Sequence, residues 1–126
     1  MSASTGNADA KWMGAGLIGM GVLHFAAPKK FDAIIPQELP VAPRTLTYAS
    51  GVAELAIGAG LLHPRTRRAA ALAAAALFVA VYPANLNTLR VVADKPLPYR
   101  VIAWARLPLQ VPMIASALRI YRGEPA

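Results

Sequence analysis

YASGVAELAIGAGLL, residues 48–62, sets one carboxylate, Glu54, inside an otherwise apolar stretch of helical length. An ionised carboxylate in hydrocarbon costs several kcal/mol unless it is paired, neutralised or hydrogen-bonded. Glu54 therefore needs partners, and each of the other apolar segments supplies a candidate: His24, Asn85 and Arg106, with Gln110 one turn beyond. Ser50, Gly51, Glu54 and Gly58 recur at helical spacing, so small residues and the carboxylate share one face. The pattern predicts an all-α fold, a small integral membrane four-helix up-down bundle built around one polar cluster.

The neighbouring segments extend this reading. Residues 12–27, WMGAGLIGMGVLHFAA, follow Lys11 and carry four glycines, Gly14, Gly16, Gly19 and Gly21. Glycine weakens a helix in water but lets helices approach closely in a membrane. A cleaved signal peptide is the weaker reading, because three further apolar segments follow. Residues 28–44, PKKFDAIIPQELPVAPR, contain four prolines that forbid a continuous helix. Phe31, Ile34, Ile35 and Leu39 make this loop too apolar for a free linker, so it is expected to cap the bundle, or to act as a lid. HPRTRR then turns the chain sharply, which makes its flanking helices antiparallel neighbours. The 21 residues 69–89 carry no charge, enough to cross a bilayer. Pro83 should kink that helix and free a carbonyl one turn back. The last segment holds Arg106, Gln110, Met113 and Ala117 at the spacing of one stripe. The expected domain spans residues 11–122, with helices at about 12–27, 46–62, 67–90 and 99–120, a disordered tail at 1–10 and a short tail at 123–126.

Composition agrees. Hydrophobic residues make up 56% of the 126 and charged residues 15%, against about 25% charged in soluble domains. The mean hydropathy is +0.44. The net charge of +7 would suggest nucleic acid in a soluble protein. Here the cations cluster at helix ends, where anionic head groups lie, so the lipid bilayer is the expected partner and nucleic acid is not. With no cysteine, two histidines and one deep carboxylate, no metal site is expected.

In an up-down bundle, His24, Glu54, Asn85 and Arg106 all fall in the half of the membrane nearest the proline-rich loop. The other half is filled by Leu17, Ile57, Leu61, Leu72 and alanines. The candidate ligand pocket is His24, Ser50, Glu54, Tyr82, Asn85, Arg106 and Gln110. Each member also has a structural reading. Glu54 and Arg106 can be an ion pair fixing helix register, His24 can donate to a carbonyl, Asn85 and Gln110 can bridge helices, and Tyr82 can anchor at the interface.

HFAAPKKF, IIPQELP, YASGVAELAIGAGLL, RTRRAA, VYPANLN and ARLPLQVP, in this order between about residues 14 and 120, resemble the DoxX-like family of small membrane proteins. The resemblance implies four transmembrane helices in the inner membrane of a bacterium and a place near quinone-linked sulfur or oxidative-stress chemistry. Founding members of that family are subunits of a thiosulfate:quinone oxidoreductase. Its motif positions carry over to His24, Pro28, Ser50, Gly51, Glu54, Pro83, Asn85, Arg106, Pro108 and Gln110.

Three roles follow as expectations. One is an accessory subunit that binds a quinone or other small molecule beside membrane or peripheral redox partners; another is an assembly protein whose cluster only locks the bundle. A proton-coupled solute transporter ranks third, since no inverted repeat is visible. No cofactor motif, nucleophile or electron carrier is evident, so autonomous catalysis is the weaker expectation. Excluding Arg106, six Lys and Arg fall on each side of the membrane. The tight three-arginine turn favours both termini in the cytoplasm.

Overall fold

The structure, a computed structural model, describes residues 2–36 and 38–123, with side chains from residue 8 onward. Over these residues the chain is all-α and 82% helical, without strands. The helices are α1 (Ser2–Ala26), α2 (Pro28–Asp32), α3 (Pro43–Leu62), α4 (Arg67–Ala80), α5 (Tyr82–Val91) and α6 (Leu97–Arg122).

Prolines set most of the boundaries. Pro28, Pro43 and Pro83 each sit in the first turn of a helix, where a missing N–H costs nothing. His63 precedes Pro64 and takes an extended conformation that ends α3. The chain breaks at Val81, just ahead of Pro83, so the expected long third helix is two rods, α4 and α5. Pro108 and Pro112 lie inside α6 without ending it, as transmembrane helices tolerate. Gly123, with φ of 73°, closes α6 in the left-handed conformation that favours glycine.

The side chains of the α3–α4 turn bind helix ends. Arg67 Nε donates to the Leu61 carbonyl at 2.9 Å and Thr66 Oγ1 to the Gly60 carbonyl at 2.7 Å. Arg68 Nε reaches the Tyr121 carbonyl at 2.8 Å. These cations meet carbonyls that a helix C-terminus leaves unbonded.

Helix α1 packs along α3, α4 lies between α3 and α6, and α5 folds back on α6, which also touches α1. Two glycine pairs make the α1–α3 contact. A Cβ on Gly58 would lie 2.7 Å from the Gly14 carbonyl oxygen, and one on Gly21 would lie 2.9 Å from that of Gly51. Gly14 faces Gly58 and Gly21 faces Gly51, so the two helices run antiparallel with their backbones nearly touching. Gly16 and Gly19, grouped with the other two on sequence grounds, face open space.

The apolar core occupies the end away from the proline-rich loop. It joins Leu17, Leu61, Ala71, Ala74, Phe78, Ala117 and Ile120. Leu72, expected there, points outward. The buried stripe of α6 is Ala103, Leu107, Gln110, Ala117 and Ile120. It is turned about one residue from the expected stripe, leaving Arg106 half-buried and Met113 exposed. Close packing on α4 selects small and aliphatic residues, and that sets the rotation of α6. At the N-terminus, helix α1 begins at Ser2, in place of the tail expected over residues 1–10, and Ala10 is fully buried. The expected tail at 123–126 lies largely outside the described residues.

Three helices are long and apolar enough to cross a membrane: Pro43–Leu62, Arg67–Val91 taken across the break, and Leu97–Arg122. Their outer faces carry Val52, Val79, Ile102, Trp104 and Val111, all more than half exposed. A water-facing surface would not carry such a band.

The glycine contacts make a prediction. Gly58→Ala should lower the melting temperature in detergent by overpacking worth about 1–3 kcal/mol. Gly16→Ala should leave it unchanged or raise it, because the new Cβ meets nothing and glycine is the poorer helix former. Equal effects from the two variants would remove the glycine seam as a determinant of the fold.

Candidate functional site

His24 and Glu54 meet across the α1–α3 seam. In a helix, side chains tilt toward the N-terminus, so His24 reaches back along α1 and Glu54 back along α3. Both converge at the level of Gly21 and Gly51, one of the two close approaches of the backbones. The His24 Cβ itself lies 2.9 Å from where Gly51 would carry one. His24 Nε2 stands 3.4 Å from Glu54 Oε1, and both side chains are buried.

The histidine's tautomer follows from its other nitrogen. Nδ1 lies 2.7 Å from the Met20 carbonyl oxygen. A carbonyl only accepts, so Nδ1 carries a proton. A hydrogen bond between Nε2 and Glu54 then needs one further proton, held by either group. Such a bond would leave the pair net neutral in either arrangement, the condition under which a buried pair costs least. The second carboxylate oxygen, Oε2, is buried and has no hydrogen-bond partner among the described residues.

The remaining predicted residues are not all gathered here. Arg106 is half-buried on α6, and no ion pair joins it to Glu54 among the described residues. Ser50 is one turn before Glu54 on the same face and half-buried. Asn85 is buried on α5, and its side-chain amide makes no hydrogen bond among the described residues. Tyr82 is half-buried beside the α4–α5 break. Gln110 has a structural partner: its Nε2 donates to the Phe78 carbonyl at 2.9 Å. Phe78 belongs to the last turn of α4, so Gln110 satisfies a carbonyl left over where the helix ends.

The residues after α1 roof the pair. Phe31 of α2 stacks on the His24 ring, with centroids 3.8 Å apart and planes 18° apart. Ile35 is buried beneath the loop. Side chains that sequence reasoning did not assign hold this roof down. Asp32 accepts from Thr47 Oγ1 at 2.5 Å and from Arg44 Nε at 2.8 Å. Asn87 Nδ2 donates to the Ile34 carbonyl at 2.9 Å, Arg90 donates to Asn87, and Arg90 also pairs with Glu38. The hydrogen bond from Thr47 foremost, and the Arg44 guanidinium beside it, hold the Asp32 carboxyl below its ordinary range against the opposing effect of burial. No group of three or more metal-ligating side chains occurs among the described residues.

Fold and site together define an all-α protein with three helices of membrane-crossing character and a roofed histidine–carboxylate contact between its first two long helices. The chain belongs to the family of the domain of unknown function DUF8561, which matches it over residues 13–121. No curated protein and no solved structure matches it.

The roof should be acid-sensitive. A carboxylate whose pKa is depressed by folding stabilises above its ordinary pKa and loses that effect as pH falls through the depressed value. Amide hydrogen exchange over residues 28–42 should therefore rise as pH drops below about 4, after correction for intrinsic rates. Asp32→Asn should produce the same loosening at neutral pH with helical content unchanged. Unaltered exchange in that variant would show that Asp32 does not anchor the loop.

Proposed function

We propose that this chain is a multi-pass membrane protein of four transmembrane helices that binds the polar head of a small apolar molecule beside Glu54. In this reading it is a non-catalytic accessory subunit of a quinone-linked redox or oxidative-stress complex in a bacterial inner membrane, as the DoxX-like resemblance implies. The four crossings are α1, α3, the α4–α5 rod and α6. Support for α1 comes from its packing along α3 and from its exposed Trp12, Val22 and Leu23. The three-arginine turn supports cytoplasmic termini.

The observation that carries the binding reading is the buried, unpartnered Oε2 of Glu54. A buried polar atom left unbonded costs about 1–3 kcal/mol, and a ligand hydroxyl would remove that cost. Quinone and quinol oxygens suit the available groups. Glu54 accepts from a hydroxyl, while Arg106 and Asn85 carry N–H donors with no hydrogen bond among the described residues. A quinone, when bound, supplies the redox chemistry. The chain's own part is to hold one proton at the His24–Glu54 contact and, through Phe31 and Ile35, to keep water from it.

A second reading rests on the bonds that are already made. The His24–Glu54 contact ties α1 to α3, and Gln110 ties α6 to α4. On that basis the cluster locks the bundle of an assembly protein and binds nothing.

Mass spectrometry of small molecules copurifying in gentle detergent decides between them. The binding reading expects a quinone near one per chain, lost in Glu54→Gln and Arg106→Ala while both variants keep their melting temperature. A preparation in native lipid with no such molecule, together with a fall in melting temperature for both variants, would overturn it in favour of the locking role.

A further inference from the structure

Where α1 ends and α3 begins lies an open depression of about 330 Å³ with a mostly apolar surface, lined by Ala26, Ala27, Pro28 and, largely through their aliphatic stems, Lys29, Lys30 and Arg44. Three of these six are cations and the other three are small. We propose that this depression is a binding site for a phosphate group, supplied by the head group of an anionic phospholipid. The proposal depends on the membrane reading of the helices but not on any ligand at Glu54.

Several independent features converge here. Arg44 is held in place: its Nε donates to Asp32, and its guanidinium lies 5.6 Å from the Tyr48 ring centroid. A pre-placed guanidinium suits phosphate, which it can bind through paired donors. Lys29 and Lys30 are exposed and have no ion pair among the described residues. The adjacent acid, Asp32, is engaged by Thr47 and Arg44, so the depression keeps a net positive charge. The start of α3 has no side-chain cap, and the positive end of that helix dipole adds to the attraction for an anion.

The small residues complete the match to a lipid. Ala26, Ala27 and Pro28 leave an uncharged floor beside the cations, suited to the glycerol next to a phosphate. The site sits at the end of one crossing helix and the start of another, the level at which head groups lie. Clustered cations at that level attract anionic head groups on either face of the bilayer, because the attraction is to the phosphate charge itself.

The test is native mass spectrometry of the full chain in micelles doped with phosphatidylglycerol or phosphatidylcholine, with and without added inorganic phosphate. Wild type should retain phosphatidylglycerol in preference to phosphatidylcholine. The double variant Lys29→Gln with Lys30→Gln should lose that preference by about thirtyfold, taking about 1 kcal/mol for each of the two cations near a membrane. The matched variant Lys11→Gln with Arg65→Gln removes the same charge elsewhere and should keep it. Arg44→Gln should weaken binding as well, and the lysine pair decides the matter if that variant misfolds. Glu54→Gln should bind the lipid as wild type does, which separates this site from the one beside Glu54. Displacement of the lipid by millimolar phosphate in wild type, absent from the lysine variant, would uphold the phosphate site but make a soluble anion its ligand. Equal retention of the two lipids without an effect of phosphate, or equal losses in both double variants, would overturn it.

Discussion

Everything in this fold that concerns the buried carboxylate depends on how closely α1 and α3 approach. Their backbones nearly touch because Gly14 faces Gly58 and Gly21 faces Gly51, with no room for a Cβ at either level. Lipid offers little hydrophobic drive to join apolar helices, so such contacts rely on close packing and on polar bonds. Here the two act together. The glycine contacts bring the helices within reach, and His24 and Glu54 then close a polar contact in the same seam. Moving either helix outward would part Glu54 from His24, the one ion-pair partner it has among the described residues.

The polar groups divide into those already satisfied and those that are not. Gln110 serves the broken end of α4, His24 serves Met20 through one nitrogen, and Asn87 holds the loop. Glu54 Oε2 and, far from it near the end of α6, Arg119 Nε are buried without a hydrogen bond among the described residues, and of the two only Glu54 lies beside the roofed contact. A purely structural network would be expected to satisfy its members, because an unpaired buried group costs more than the bond it forgoes. That imbalance, more than the presence of polar residues in a membrane-like helix, distinguishes a site from a lock.

Much of the architecture was legible in residue patterns, and the reasons for the remainder are physical. Proline placement marked the end of the first helix at 28 and a disturbance at 83, since a missing N–H is a local property of the chain, but not the start of α3 at Pro43 or the full break between α4 and α5. The α3 face bearing Gly51, Glu54 and Gly58 was legible because periodicity survives in a single helix. The partner of Glu54 was not, since Arg106 and His24 were both available and the choice turns on rotation of whole helices. Burial of Ala103, Leu107 and Ala117 carries Arg106 to the margin, and no residue near Arg106 announces that. Gly16 and Gly19 cannot be told from Gly14 and Gly21 without knowing which face of α1 meets α3. The anchors of the roof, Asp32 to Thr47 and Asn87 to Ile34, join residues 15 and 53 positions apart. Such bonds leave no local pattern.

The roof explains why a carboxylate can persist at this depth without being sealed in. Phe31 lies flat on His24 and covers it, yet α2 is only five residues long and contains no buried residue. So short a helix has little stability of its own, and it is held chiefly by side chains at its flanks. The bonds of Asp32 and Asn87 are polar and exposed or only partly buried, so water can replace them at small net cost. The glycine seam beneath is apolar and backbone-tight, with no comparable substitute in lipid. Opening of this structure should therefore begin at the roof and leave the α1–α3 seam closed, exposing the His24–Glu54 contact from one side only.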